Sequence, residues 1–218
     1  MVAAYKSLLM HSDVALIYLL IEDDSFPYEL PDCVKTVNVS SQREHWSKSP
    51  NARSEFTYMA LVRSTYAIMF PWLDKILSLD VDTIVNEDIS DLWDIDLGRH
   101  YFSASPEWHK TIGTSIYTNI GVCLYNLKKL RNDGKVKEVI DELTRREHRF
   151  LEQDAFNFLC QGAILPMNGD YNANAWVKYS DHPKIIHYAG IKDWMEMPDV
   201  LRYQSIPLEE VLKARPKA

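Results

Sequence analysis

Cysteine is scarce in this sequence. The 218 residues include only three, Cys33, Cys123 and Cys160, which lie far apart and form no Cys-x-x-Cys spacing. Neither a zinc site built on cysteine pairs nor a disulfide framework is therefore indicated. So few free thiols fit a reducing compartment, and we expect a cytoplasmic protein.

Long apolar segments and basic clusters are also lacking. The longest apolar run, from Val14 to Ile21, is too short to cross a bilayer. An acidic stretch follows it without a basic start or a cleavage site, so it predicts a strand rather than a signal peptide. The net charge is -7 without a basic run, which argues against a nucleic-acid partner. A small basic tail, Lys213, Arg215 and Lys217, is more typical of a frayed terminus than of association with a membrane surface.

The amino-acid composition is that of one compact domain. The chain is 46% hydrophobic and 25% charged, and it shows no repeat, low-complexity tract or linker. Predicted strands alternate with predicted helices, so we expect a single α/β domain over residues 1–218 with a mainly parallel central sheet flanked by helices. The predicted strands are Val14–Ile21, Val34–Val39, Lys75–Leu79, Tyr101–Ala104, Gly121–Leu127, Ala163–Pro166 and Lys184–Tyr188. The predicted helices are Met1–Met10, Ser54–Phe70, Gly134–Arg146, Glu152–Leu159 and Pro207–Ala214.

The tripeptide Asp80-Val81-Asp82 is the most informative feature of the chain. It follows the apolar run Ile76–Leu79, which predicts a buried strand, and its two carboxylates lie on one side of an extended chain. Ligands of open α/β sheets collect at the carboxyl ends of strands. Paired oxygen ligands in this place suit Mg²⁺ or Mn²⁺ bound with a nucleotide diphosphate. The alternative is an acidic turn that merely follows a strand, because the pattern is short.

A second copy of the pattern, Asp94-Ile95-Asp96, has a different context. It follows Leu92-Trp93 in a charged loop, and no apolar strand leads into it. We therefore interpret this copy as structural.

A charged residue, Arg63, lies on the apolar stripe of the predicted helix Ser54–Phe70. A charge on a buried face needs a partner or a ligand. Periodicity leaves two interpretations open: a structural salt bridge to a nearby acid, or an arginine that faces a cleft for phosphate or sugar. The other members of the stripe are Phe56, Met59, Ala60, Tyr66, Ala67 and Phe70.

A second strand end carries His187. A lone histidine there is usually a core or capping residue, but an imidazole that meets two carboxylates gives a mixed nitrogen and oxygen site, which favours Mn²⁺ over Mg²⁺. Gly190 permits close approach of the backbone, and Lys192 supplies a cation suited to a phosphate.

Two further junctions carry polar residues. Glu152-Gln153-Asp154 begins a predicted helix. An acidic side chain there satisfies the free N–H groups of the first turn, but this explanation gives Gln153 no role. Asn119-Ile120-Gly121 leads into an apolar strand. It either forms a turn or presents the amide of Asn119 and the bare backbone of Gly121 to a ligand. A polar loop with Asn172 and Asn174 either holds a sugar or serves packing.

Together these segments resemble the retaining glycosyltransferases of family 8, which include bacterial lipopolysaccharide glucosyl- and galactosyltransferases and glycogenin. The resemblance extends from about Tyr58 to Trp194 and implies a GT-A-type fold. An ordered set of motifs is more specific than any one member. The segments that carry it, in the family's order, are Asp74–Asp82 with its continuation Asp88–Trp93, Tyr117–Val122, Glu152–Asn157 and Ile185–Gly190.

The resemblance implies a role for individual residues. Asp80, Asp82 and His187 match the metal ligands, with Mn²⁺ as the expected cation and Mg²⁺ as the alternative. Arg63, Glu152 and Gln153 form the implied catalytic set around the reacting carbon of the sugar. The implied donor-binding set is Arg63, Asp80, Val81, Asn119, Ile120, Gly121, Glu152, Gln153, His187, Gly190 and Lys192.

The chain departs from the family pattern at three places. The loop Gly190–Trp194 is one residue shorter than the family's Gly-x-x-Lys-Pro-Trp and has Asp193 for the proline, which affects the reach of Lys192. Ile120 stands where relatives carry Ala or Ser, which changes the sugar pocket. The usual first strand, which ends at the uracil site, is expected to be absent because Val2–Leu9 already has the pattern of the following helix.

We therefore expect transfer of a hexose, glucose or galactose, from a UDP-sugar to a hydroxyl of a glycan or other acceptor, with retention of configuration. One alternative is a metal-dependent nucleotidyltransferase or phosphohydrolase, which would use the two aspartates but leave Arg63, Gln153 and His187 idle. The other is a non-catalytic or degenerate nucleotide-sugar-binding domain.

Overall fold

The computed structural model describes residues 1–53, 58–112 and 115–216 as a mixed α/β fold. The strands are Ile17–Ile21 (β1), Val34–Asn38 (β2), Lys75–Leu79 (β3), Thr83–Val85 (β4), Phe102–Ile112 (β5), Ser115–Asn126 (β6), Ile164–Pro166 (β7) and Ile185–His187 (β8). The helices are Val2–His11 (α1), Ser41–Trp46 (α2), Tyr58–Val62 (α3), Tyr66–Met69 (α4), Ser90–Asp94 (α5), Leu127–Asn132 (α6), Lys135–Arg145 (α7), Leu151–Leu159 (α8), Pro198–Ser205 (α9) and Leu208–Ala214 (α10).

The central sheet is mixed, so the expectation of a mainly parallel sheet is wrong. Its strand order is β3-β6-β5-β7; β6 is antiparallel to both of its neighbours, and only β5 and β7 are parallel. A short connection can join antiparallel strands but not parallel ones, and β5 ends only a few residues before β6 begins. Two smaller pairs flank this sheet, a parallel β1-β2 pair and an antiparallel β4-β8 pair.

The side chains of β6 show where the core lies. Cys123 and Tyr125 pack in a cluster with Phe102 and Phe156, whereas Val122 and Leu124 pack in a second cluster. Because successive side chains of a strand point to opposite faces, both faces of the central sheet are covered. The strand is therefore buried on both sides, and polar residues on it lie in a dry environment.

Most predicted elements are found, but two strands are much longer than predicted: β5 continues past Ala104 to Ile112, and β6 begins at Ser115 rather than at Gly121. The predicted helix Ser54–Phe70 differs most: its residues 54–57, including Phe56, lie outside the described residues, and a 3₁₀ turn at Arg63–Thr65 separates α3 from α4. The structure adds four elements too short for a periodic signal, β4, α2, α5 and α6, and the longer helix α9, which was not predicted.

The end of the described chain is docked on the fold rather than frayed. Arg215 donates to the carbonyl oxygen of Val14 at 2.6 Å and lies 3.3 Å from a carboxylate oxygen of Asp13. Lys217 lies outside the described residues. Within the described chain, every helix falls short of the length and apolar character that a bilayer span requires.

Candidate active site

The turn that follows β3 fixes the two aspartates of the first motif. The backbone N–H of Asp80 donates to the carbonyl oxygen of Gly121 on β6 at 2.8 Å, and the hydroxyl of Thr83 donates to the carbonyl oxygen of Asp80 at 2.7 Å. The carbonyl oxygen of Asp82 accepts from the N–H of Tyr188 at 3.0 Å. Val81 lies between the two aspartates and is 47% exposed, so its side chain is not packed in the core.

His187 meets these carboxylates because β4 pairs with β8. Thr83 is the register partner of His187, which places the imidazole beside the turn. Its Nε2 atom lies 3.4 Å from Oδ1 of Asp82 and 3.7 Å from Oδ2 of Asp80. Ligand atoms of the three residues lie within 4.8 Å of one another, so they could hold a divalent cation.

Asn172 sets the orientation of His187. Its Oδ1 lies 2.7 Å from Nδ1 of the imidazole, and its Nδ2 donates to Oδ1 of Asn119 at 3.0 Å, which fixes the direction of its own amide. Since an amide oxygen only accepts, Nδ1 carries a proton, which leaves Nε2 as the ring nitrogen that faces the two aspartates. One nitrogen and two carboxylates that converge on one point form the donor set of a cation site. Asn172 is fully buried, which favours this positioning role over sugar binding.

Gly121 lies directly against the imidazole. A methyl group added there would lie 2.1 Å from Cε1 of His187 and 2.7 Å from its Nδ1. Glycine is therefore required for the histidine to occupy this place.

Replacement Gly121→Ala should displace His187 and weaken Mn²⁺ binding by at least roughly tenfold, the effect typical of disturbing a ligand's support. Overpacking should lower the free energy of unfolding by about 1–3 kcal/mol. Gly134→Ala is the control, because nothing lies within 4 Å of its added methyl group although its φ is +67°. Calorimetry that gave both variants wild-type Mn²⁺ affinity would contradict the placement of His187.

Arg63 lies between two carboxylates of the site. Its guanidinium lies 2.6 Å from Oδ1 of Asp80 and 2.5 Å from Oε1 of Glu152, and it also donates to the carbonyl oxygen of Ile120 at 3.3 Å. The Arg63 side chain is 12% exposed and that of Glu152 only 2%. Arg63 therefore does form salt bridges, and both of its partners are themselves predicted site residues.

A 3₁₀ turn directs Arg63 into the cleft. The hydroxyl of Ser64 donates to the carbonyl oxygen of Leu61 at 2.5 Å, and that of Thr65 donates to the carbonyl oxygen of Val62 at 2.7 Å. Hydroxyls that bond three residues back compete with the helical pattern. They account for the break between α3 and α4 at the functional residue.

Burial shapes the charge of the cleft. It raises the pKa of Glu152 to about 7 and also raises the pKa of Asp80, in both cases against the opposing charge of Arg63. For Asp82, the hydrogen bond and charge of His187 outweigh burial, and the pKa is lowered. Carboxylates that are costly to ionise in a dry cleft favour a bound cation. Oε2 of Glu152 is buried and has no hydrogen-bond partner among the described residues.

The start of α8 aims Glu152 and Gln153 at the cleft. Of the described non-glycine residues, Leu151 alone has a positive φ, +48°, and its side chain is buried in the core. A positive φ strains the backbone of a non-glycine residue, and this conformation persists only where the surrounding packing imposes it. Asp154 accepts the N–H of Phe150 at 2.9 Å and so serves the helix start, which leaves Glu152 free for Arg63.

A break in strand pairing exposes backbone to the site. Ala104 pairs with Cys123 but Ser105 pairs with Asn119, so Ile120 lies within a bulge of β6. Its N–H donates to Oε1 of Gln153 at 3.2 Å. The side chain of Ile120 is fully buried in the core, so Ile120 contacts the neighbouring site residues through its backbone.

Other predicted residues lie apart from this cluster. Lys192 is exposed and makes no ion pair within the part of the chain that the structure describes. Gly190 lies against the ring of Trp176. Asp94 is exposed at the end of α5, and Asp96 accepts from the N–H of Gly98, which agrees with a structural role for the second motif.

The chain is similar to known glycosyltransferases. The model of the family described as glycosyl transferase family 8 matches residues 2–197. The glycosyltransferase GlyE of Streptococcus pneumoniae serotype 4 is 31% identical over 186 residues, which cover 78% of this chain and 43% of that protein. The chain spans about half the length, or less, of the curated relatives that it matches.

Two solved structures show the same fold. The crystal structure of GlyE superposes with a TM-score of 0.69 at 22% identity, covering 97% of this chain and 59% of that one. The galactosyltransferase LgtC, solved with donor and acceptor sugar analogs, gives 0.61 at 19% identity and covers 86% and 77%. At these identities the likeness establishes the fold, which is the GT-A fold.

Proposed function

The chain belongs to glycosyl transferase family 8, and from this membership we propose that it transfers a hexose from a UDP-sugar to an acceptor hydroxyl with retention of configuration. Glucose and galactose are the proposed sugars, and a glycan is the proposed acceptor. The observation that carries the proposal is one cleft that unites Asp80, Asp82 and His187 with the Arg63–Glu152 ion pair. The donor and acceptor sugar analogs in the LgtC structure support this use of the fold.

The residues of the cleft suit the departure of a diphosphate. Asp80, Asp82 and His187 would hold the cation, for which the mixed donor set favours Mn²⁺, and the cation would supply neutralisation of the leaving phosphate. Arg63 adds a fixed positive charge beside Asp80, where it favours an anionic leaving group. Lys192 is proposed to reach the diphosphate from its exposed loop.

The other predicted residues suit the sugar. The free Oε2 of Glu152 can accept a sugar hydroxyl, and Arg63 holds that carboxylate in place. The amides of Gln153 and Asn119 are proposed to orient the sugar at its reacting carbon. An amide is a poor base, so deprotonation of the acceptor falls to the leaving phosphate.

The extent and location of the protein are part of the proposal. We take residues 1–218 as one glycosyltransferase domain, and we place it in the cytoplasm. Both statements rest on the sequence.

Incubation with UDP-glucose and UDP-galactose, with and without Mn²⁺, tests the function directly. We expect Mn²⁺-dependent release of UDP that rises when a glycan acceptor is added. Sugar 1-phosphate and UMP as products would instead identify a phosphohydrolase. Donor binding without any turnover would identify a binding domain.

Gln153→Ala should lower turnover by roughly 10- to 100-fold while UDP affinity stays at the wild-type value, because the amide acts on the sugar and not on the nucleotide. The wild-type product from an α-linked donor should be α-linked, as read from the anomeric proton coupling in NMR. A β-linked product would overturn the retaining assignment and direct the search to a general base across the cleft.

A further inference from the structure

Glu107 is a buried carboxylate for which the sequence offers no signal. It lies on β5 and is 4% exposed. A carboxylate in such a place is costly unless it is paired and hydrogen-bonded. Its Oε2 lies 2.8 Å from Nζ of Lys110, whose ammonium also lies 3.7 Å from the ring centroid of Phe150. The buried charge is thus compensated, and Lys110 is held by contacts of its own.

The second oxygen of Glu107 binds two amides at once. Oε1 accepts from Nε2 of Gln153 at 3.2 Å and from Nδ2 of Asn119 at 3.3 Å. These two side chains are the amides that the proposed function assigns to the sugar. A carboxylate accepts hydrogen bonds from both and donates to neither.

The remaining contacts of both amides agree with this orientation. Nε2 of Gln153 also donates to the hydroxyl of Tyr117 at 3.0 Å, while Oε1 accepts from the N–H of Ile120. Oδ1 of Asn119 accepts from the N–H of Gly121 at 3.1 Å. Each amide therefore directs its nitrogen to Glu107 and its oxygen to the bulge of β6.

An amide side chain fits its space almost equally well in two orientations that exchange donor and acceptor. A reacting sugar presents hydroxyl groups, and its orientation depends on which end of each amide it meets. We propose that Glu107 is a positioning residue that fixes the orientation of Gln153 and Asn119, and through them that of the donor sugar. The part of this inference that concerns the sugar rests on the proposed function.

The first test is a double-mutant cycle on turnover. Glu107→Gln keeps the volume but replaces one acceptor oxygen by a donor, and it should lower kcat by roughly 10- to 100-fold. The KM for the donor and the affinity for UDP should change little. In the Gln153→Ala background the same change should have a much smaller effect, because the group it positions is gone. If the reductions in kcat caused by the two substitutions simply multiplied in the double variant, Glu107 would act independently of Gln153. That result would overturn the inference.

Glu147→Gln is the matched control. Glu147 is an exposed glutamate outside the site, and its replacement should leave kcat, KM and the melting temperature unchanged. Glu107→Ala serves as a second variant in case the glutamine side chain is not accommodated.

The second test needs no turnover. In ¹⁵N-labelled protein, Glu107→Gln should shift the side-chain NH₂ resonances of Gln153 and Asn119 and speed their exchange with water, while the backbone spectrum away from β5 is retained. Unchanged side-chain resonances would refute the positioning role whatever the substrate is. If the resonances respond but the wild-type protein turns over no UDP-sugar, the positioning role stands and the proposed function fails.

Discussion

Replacing Asp82 with Asn is expected to abolish most metal-dependent turnover. The substitution removes one of the charged groups that converge with the Nε2 atom of His187, at an Oδ1–Nε2 distance of 3.4 Å, and leaves the shape of the turn intact. A bound cation contributes several kcal/mol to charge stabilisation, so a loss of about 100-fold or more in Mn²⁺-dependent turnover is expected. Calorimetric titration of Mn²⁺ with UDP and a thermal melt separate loss of the site from loss of the fold.

The second motif provides the control for this prediction. Asp94→Asn changes an exposed aspartate of the same tripeptide pattern and should affect neither Mn²⁺ affinity nor turnover. If Asp82→Asn titrated with Mn²⁺ and UDP as the wild-type protein does, the assignment of this cluster as the metal site would be wrong.

Arg63→Met is expected to lower both stability and turnover. The side chain is 12% exposed and contacts Asp80 and Glu152, so its removal leaves two carboxylates in the cleft without compensation. Removal of one partner of a buried ion pair lowers the free energy of unfolding by about 3–5 kcal/mol. Loss of a buried charge contact to the donor should also reduce turnover by a factor of about 30 or more. Chemical denaturation and donor kinetics measure the two effects.

A double substitution separates the structural effect from the functional one. Arg63→Met with Glu152→Gln removes the charges of the Arg63–Glu152 pair and should recover part of the lost stability, because only one uncompensated carboxylate, Asp80, then remains. Turnover should not recover. Recovery of both together would mean that Arg63 acts only as a structural salt bridge.

Arg131→Met is the matched control for a half-buried arginine. Arg131 donates to the backbone carbonyl oxygens of Phe70 and Leu73, at 3.4 and 2.8 Å. Its replacement should lower stability without lowering the turnover of the folded protein.

The sequence by itself determined the parts of this protein that depend on local pattern. Both ends of strand β3 were predicted to the residue. The carboxylates that follow it could be placed at a ligand-binding edge because ligands of α/β sheets bind at the carboxyl ends of strands. Pattern alone left His187 open as a core or capping residue; the resemblance to family 8 implied that it meets the aspartates, and the structure brings the three together. Arg63 was marked by a charge on an apolar stripe, a signal that periodicity can carry.

Only the tertiary structure decided the partners of these residues. No local pattern indicated an antiparallel β6, a bulge at Ile120 or a buried carboxylate at Glu107, because strand pairing depends on contacts between distant segments. Asn172 orients His187 across 15 residues of sequence, and Glu107 meets Gln153 across 46. A single polar residue has no periodicity, so its burial and its partners are set by the elements that pack over it once the sheet has formed.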